Sequence, residues 1–227
     1  YEEGKSVFGE DASGVYGMST LLKFLFANGA GAVKAVAVGK DESEEKDYAS
    51  AFAALSDEED VGVMVCDSAA QSVHLLLKTA AEDASAARRE RIAVIGGSEE
   101  TVAQMVNRAK AVNSERVVLV GPDIASDDGG TMSAVFAAAA VAAVIAGNTD
   151  PSVPINGAEL TLFGAAGKRL SDNEIDQLVR GGVTPIETVG GVSSPVRGIT
   201  TKTSSGGAAD TTWRELTTIL IVDEVIP

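Results

Sequence analysis

Between residues 19 and 146, short apolar runs alternate with stretches whose apolar positions recur every three or four residues. Leu21, Leu22, Leu25 and Phe26 follow helical spacing, and Gly29 suits a helix C-cap. Val33 to Val38 then reads as a buried strand. Tyr48, Ala51, Phe52 and Leu55 form the inner stripe of the next helix. Val61 to Val65 is the second strand, and Val73, Leu76, Leu77, Ala80 and Ala81 mark the helix after it. Ile92 to Ile95 is the third strand. Val102, Met105, Val106 and Ala109 mark a third helix, and Val117 to Val120 the fourth strand. The strand starts lie 28, 31 and 25 residues apart, the length of a βαβ unit. Strands apolar on both faces need helices on both sides, so the pattern predicts an α/β fold with a mostly parallel sheet.

Ala134 to Ala146 is apolar on all sides and predicts a central buried helix. Its thirteen residues are the longest apolar run and are too few to span a bilayer. After Asn148 the pattern changes. Residues 149–170 are punctuated by Pro and Gly, with a turn signal at Asn156-Gly157. Ser171 and Glu174 predict a capping box, stapled by Leu170 and Ile175, on a short helix ending near Gly181-Gly182. Residues 184–201 read as extended strands, and 203–210 as a mobile loop tip. Trp213 to Val222 reads as a final β-rich or β-to-helix segment. The chain thus divides into an α/β core over 1–148 and a remainder of the same core over 149–227, with a β-rich segment towards the C-terminus.

Composition then narrows the function. Among 227 residues, 45% are apolar and 22% charged, the balance of a packed globular chain. The net charge of −15 argues against nucleic acid and against an anionic membrane surface as partners. A single cysteine, Cys66, excludes a disulfide framework, and a single histidine, His74, leaves few acid–base schemes. Tyr1 is not preceded by methionine, and the C-terminus is an apolar run closed by Pro227. Both ends therefore read as those of a piece cut from a longer protein.

Ligands of an open parallel sheet sit beyond the carboxyl ends of its strands. The loops there are Gly39 to Glu42, Cys66 to Ser68, Gly96 to Ser98 and Gly121 to Thr131. Gly96-Gly97-Ser98 could cradle a phosphate, but Glu99 and Glu100 follow it and would repel an anion. The expectation is Ser98 as a helix N-cap with both glutamates in the first turn. Asp123, Asp127 and Asp128 are the candidate ligands for Mg²⁺ or Ca²⁺, although their spacing matches no EF-hand. His74 falls within a helix, a poor place for a catalytic triad, and Asp67 or Ser68 is expected to cap that helix. Trp213-Arg214-Glu215 and Pro195 to Gly198 offer a sheet edge that another subunit could pair with.

Residues 145–224 carry a more specific signal. Asp150-Pro151 precedes Val153-Pro154-Ile155-Asn156-Gly157-Ala158-Glu159-Leu160. Then come Leu170-Ser171-Asp172-Asn173-Glu174-Ile175 and Leu178-Val179-Arg180-Gly181-Gly182-Val183-Thr184-Pro185. Val196 to Thr203, Asp210 and Trp213 to Asp223 complete the series. In order and spacing this resembles the tail sheath protein of contractile phages and prophages, and of R-type bacteriocins. The resemblance implies a subtilisin-like α/β/α central domain without protease function, in a structural subunit that is not an enzyme and needs no cofactor. Such subunits stack as rings around a tail tube and contract on a baseplate signal, driving the tube through a cell envelope. The implied partners are other sheath subunits, tube and baseplate. The implied location is the virion or prophage tail, with assembly in the host cytoplasm. Lacking the coupling arm and C-terminal domain of such proteins, the chain alone is expected to be a monomer or small oligomer. The alternatives are a doubly wound enzyme domain holding a divalent metal at Asp123, Asp127 and Asp128, and an adaptor that binds through its sheet edge.

Overall fold

The computed structural model of the chain describes residues 1–12, 16–38, 44–126, 129–162, 167 and 169–225. Two helices open it, α1 (Glu2–Phe8) and α2 (Met18–Ala27), followed by α3 (Glu44–Ala54) and the short strand β1 (Val63–Met64). The repeated units continue through α4 (Gln71–Ala86), β2 (Ile92–Gly96), α5 (Val102–Val112) and β3 (Val117–Gly121). A small ribbon of β4 (Ile124–Ala125) and β5 (Thr131–Met132) leads into α6 (Ala134–Gly147). The remainder comprises α7 (Asp172–Arg180), β6 (Val183–Val189), β7 (Val192–Pro195), β8 (Ser204–Ser205), β9 (Ala208–Ala209) and α8 (Leu216–Val225).

The main sheet has the order β1-β2-β3-β6-β7. Its first three pairings are parallel, and β7 joins as an antiparallel edge strand. Because β6 pairs directly with β3, residues on either side of 148 share one sheet. Alternate strand residues feed two separate cores, as the pleat requires. Ile92, Val94, Val118, Val120 and Ile186 pack with α2, α6 and the start of α8. Ala93, Ile95, Val117, Leu119 and Val183 pack with α3, α4, α5 and α7. Helices therefore cover both faces, in agreement with the α/β expectation.

The expected central helix is α6, in which eight of fourteen residues are alanine and eleven are buried. Small side chains let it lie close to the sheet. A Cβ added at Gly96 would stand 2.2 Å from the Ala134 carbonyl carbon. The capping box of α7 is present, with Ser171 Oγ accepting from the Glu174 N–H at 3.3 Å and Glu174 Oε2 accepting from the Ser171 N–H at 2.9 Å. Gly190 (φ 61°) and Gly191 (φ 87°) close the β6–β7 hairpin, a turn whose two central residues both require positive φ.

Two expectations need correction. Among the described residues, 33–38 form no strand ladder. They run beside β1, and a gap of about 300 Å³ between the two, lined by Ala30, Ala32 and Gly62 together with Leu25, Phe52 and Met64, stays unfilled. Residues 203–210 are not a free loop tip. They form the β8–β9 hairpin, held by Asn113, whose Oδ1 accepts from the Thr203 and Ser204 N–H groups at 3.0 and 3.1 Å. Helix α1 lies outside the predicted elements, and none of its residues is buried.

Candidate functional site at the carboxyl ends of the strands

The loops after β2 and β3 meet at the start of α6, the place where a ligand of such a sheet would sit. The protein's own groups occupy it. Asp123 accepts two backbone hydrogen bonds, from Glu99 N–H to Oδ2 at 2.6 Å and from Ala134 N–H to Oδ1 at 2.9 Å. Ser133 caps α6 by accepting from the Val135 N–H at 3.2 Å, and its hydroxyl donates to the Gly97 carbonyl at 2.7 Å. Asp123 and Ser133 thus tie both loops to the helix. Asp127 and Asp128 lie outside the described residues, so of the three candidate metal ligands only Asp123 has a described place. Among the described residues no group of three His, Cys, Asp or Glu side chains is arranged to hold a metal.

The Gly96-Gly97 pair is likewise committed to the fold. Gly96 makes room for the backbone of α6, and a Cβ at Gly97 would stand 2.1 Å from Glu100 Oε2. The glycines therefore admit a helix and a carboxylate where a phosphate cradle would need open space. Ser98 is not the cap of α5. Thr101 is, in a capping box with Gln104 whose N–H donates to Thr101 Oγ1 at 3.3 Å. The reciprocal box satisfies two helix-end donors and so outcompetes a lone serine. Glu99 (φ 55°) and Glu100 consequently precede the helix instead of forming its first turn. An adjoining cleft of about 580 Å³ is lined by Glu99, Glu100, Asp123 and Glu174, an acidic surface unsuited to anions.

Cys66 and His74 come near the same carbonyl without forming a nucleophile–base pair. Cys66 Sγ lies 3.7 Å from the Ser68 oxygen, and burial pushes its thiol up to about 12, so it stays protonated near neutral pH. His74 is fully buried, with Nε2 2.8 Å from the Ser68 oxygen and Nδ1 3.1 Å from Arg108 Nη1. Arg108 can only donate, so Nδ1 accepts and Nε2–H donates to Ser68. Burial pushes the imidazole down to about 4, and the Arg108 charge adds to that, so the ring is neutral. Arg108 in turn grips Glu100 Oε1 at 2.8 Å through both Nε and Nη2. The chain Ser68–His74–Arg108–Glu100 binds α4 to α5 and the loop after β2. Neither Asp67 nor Ser68 is the N-cap residue of α4. Ala70 holds that position, with Ser68 Oγ accepting its N–H at 3.1 Å.

The edge residues singled out near the C-terminus pair with each other. An isolated bridge joins Ile199 to Glu215, Arg197 and Glu215 form an ion pair, and Arg214 donates to the Val179 carbonyl at 2.6 Å, capping the end of α7. Trp213 remains 38% exposed beside them.

A family model described as phage tail sheath protein central domain matches residues 41–201. The chain belongs to the phage tail sheath family. Comparison with curated proteins returns no match. Among solved structures, a sheath tail protein from Desulfitobacterium hafniense is similar with a TM-score of 0.66 at 17% identity, over 86% of this chain and 46% of that one. The anti-feeding prophage baseplate contains a chain similar with a TM-score of 0.67 at 14% identity, over 95% of this chain and 57% of that one. The anti-feeding prophage helical sheath in its contracted state gives 0.58 at 12% identity, over 90% and 55%. At such identities the likeness is one of fold. This sheath-family chain spans about half the length of those relatives.

Proposed function

We propose that this chain is the central body of a contractile tail sheath subunit, with residues 1–148 and 149–227 working as one unit. The observation that carries the reading is the sheath central-domain match over residues 41–201. Its likeness in fold to a contracted helical sheath supports it. In this role copies of the subunit surround a tail tube and, on a baseplate signal, exchange one packing for another and drive the tube forward. The work is mechanical, and the interior suits it. The neutral His74 with Arg108 and Glu100 binds α4 to α5, and Asp123 and Ser133 tie the strand-end loops to α6. The particle location is the tail of a phage or prophage, with assembly in the host cytoplasm.

Negative-stain imaging of the complete gene product, alone and with its tube protein, tests this. Tubes of uniform diameter with a regular axial repeat are expected. Dispersed particles under every assembly condition, with or without tube, would overturn the assignment.

A further inference from the structure

Residues 33–38, Val-Lys-Ala-Val-Ala-Val, carry the pattern of a strand without its bonds. Val33 packs against the core under α2 and α6, and Val38 against the core under α3 and α4. An odd and an even position on opposite faces is the alternation of a pleated strand. Yet among the described residues no backbone group of 31–38 makes a hydrogen bond to the backbone.

Among the described residues the neighbouring sheet edge is equally unpaired. Among the described strands β1 bonds only to β2, and the Gly62 carbonyl accepts from the Ile92 N–H at 2.9 Å. In a parallel ladder alternate residues face one side, so Val63 and Val65 turn their N–H and C=O groups away from β2. Those groups face the gap of about 300 Å³ between β1 and residues 30–34.

Handedness selects the occupant of that gap. The crossovers β1–α4–β2 and β2–α5–β3 both run over one face of the sheet as it advances in one direction. Helix α3 lies on that same face, packed on α4. A crossover from 33–38 through α3 to β1 then has the same hand as its two successors only if the segment lies outside β1 and parallel to it. That is where it already runs.

We propose that residues 33–38 are a closing strand, which zips onto the outer edge of β1 as a sixth, parallel strand and shuts the gap between them. Closure satisfies the outward groups of Val63 and Val65 and covers an edge that would otherwise accept a strand from another molecule. The inference concerns the fold of this chain and stands apart from its assignment to a sheath.

Residue-resolved amide exchange on the 227-residue chain tests it. Because only every second amide of an edge strand faces its neighbour, alternate amides within 33–38 should be slowed on the order of a hundred-fold against the same sequence as a free peptide. The prolines Ala35→Pro and Val36→Pro should then differ. The one that removes a ladder donor should abolish protection over the whole segment and raise self-association in light scattering, while the other, whose N–H faces solvent, should keep both near wild type. Free-peptide exchange throughout 33–38 in the unsubstituted chain would overturn the proposal, whatever the variants do. Equal effects of the two prolines would also overturn it.

Discussion

Gly96→Ala probes how closely α6 is set against the sheet. The added Cβ would stand 2.2 Å from both the carbon and the oxygen of the Ala134 carbonyl and 2.5 Å from the Val135 nitrogen. All three are backbone atoms at the start of a helix, so no side chain can swing aside. Ordinary contact begins at 3.4 Å, so α6 must retreat by about 1.2 Å, the difference between 3.4 and 2.2 Å. That shift would strain the Asp123 bond to the Ala134 N–H and the Ser133 bond to Gly97, and would loosen a helix with eleven buried residues. Overpacking of this kind costs about 3 kcal/mol. For a domain of this length that lowers Tm by roughly 6–12 °C. Gly62→Ala is the matched control, since a Cβ there meets nothing within 4 Å. It reduces the freedom of the unfolded chain by the same amount and should be neutral or stabilising by up to about 1 kcal/mol. Thermal unfolding of both variants by calorimetry or circular dichroism gives the comparison. If Gly96→Ala melts within about 2 °C of Gly62→Ala, the close approach of α6 does not limit the fold.

Three further outcomes follow from buried groups. Arg91 is 1% exposed and donates to the carbonyls of Leu55 at 3.0 Å and Ser56 at 3.2 Å, so Arg91→Met should strip the end of α3 of its partners and cost about 3 kcal/mol in a denaturant titration. Unchanged stability would show that the carbonyls find water instead. His74 has a native pKa of about 4 against about 6.5 unfolded, so between those values only the unfolded state takes up the proton. Stability should therefore fall as pH drops from about 6.5 to 4, by on the order of 3 kcal/mol, and His74→Gln should lack this slope. Parallel pH profiles of the two proteins would refute the buried neutral imidazole. Cys66, raised to about 12 and buried, should resist a thiol reagent at pH 8 in the native protein and react at once in denaturant. Rapid native labelling would show that the end of β1 opens readily.

Much of this architecture is written in short-range pattern. β2 and β3 are legible because every residue in Ile92–Gly96 and Val117–Gly121 is buried, which only a sheet covered on both faces allows. The α7 capping box is legible because all of its bonding partners lie within four residues. Val33 to Val38 carries the same signal as those strands, but a ladder also needs backbone groups brought into register across from it, and a gap of about 300 Å³ lies between residues 30–34 and β1. The loops show the same limit. Ser98 and Thr101 are both good caps, and the choice falls to Thr101 because Gln104 answers it. Gly97 reads as a phosphate cradle until Glu100, fixed by Arg108 from a turn and a half along α5, is seen in the space its missing side chain leaves. Asp123 could not be told from a metal ligand by spacing. Its partners are backbone N–H groups 24 and 11 residues away.

The alanines of α6 have a further consequence. Alanine has no side-chain torsion to freeze, so eight of the fourteen residues at the centre of the molecule surrender no rotamer entropy on folding and have no alternative rotamer to adopt under load. A core of leucine or methionine can yield to stress by repacking. Along its alanine positions α6 has no rotamer to change, so there it answers a force by moving as a helix, which suits it to carry displacement across the domain.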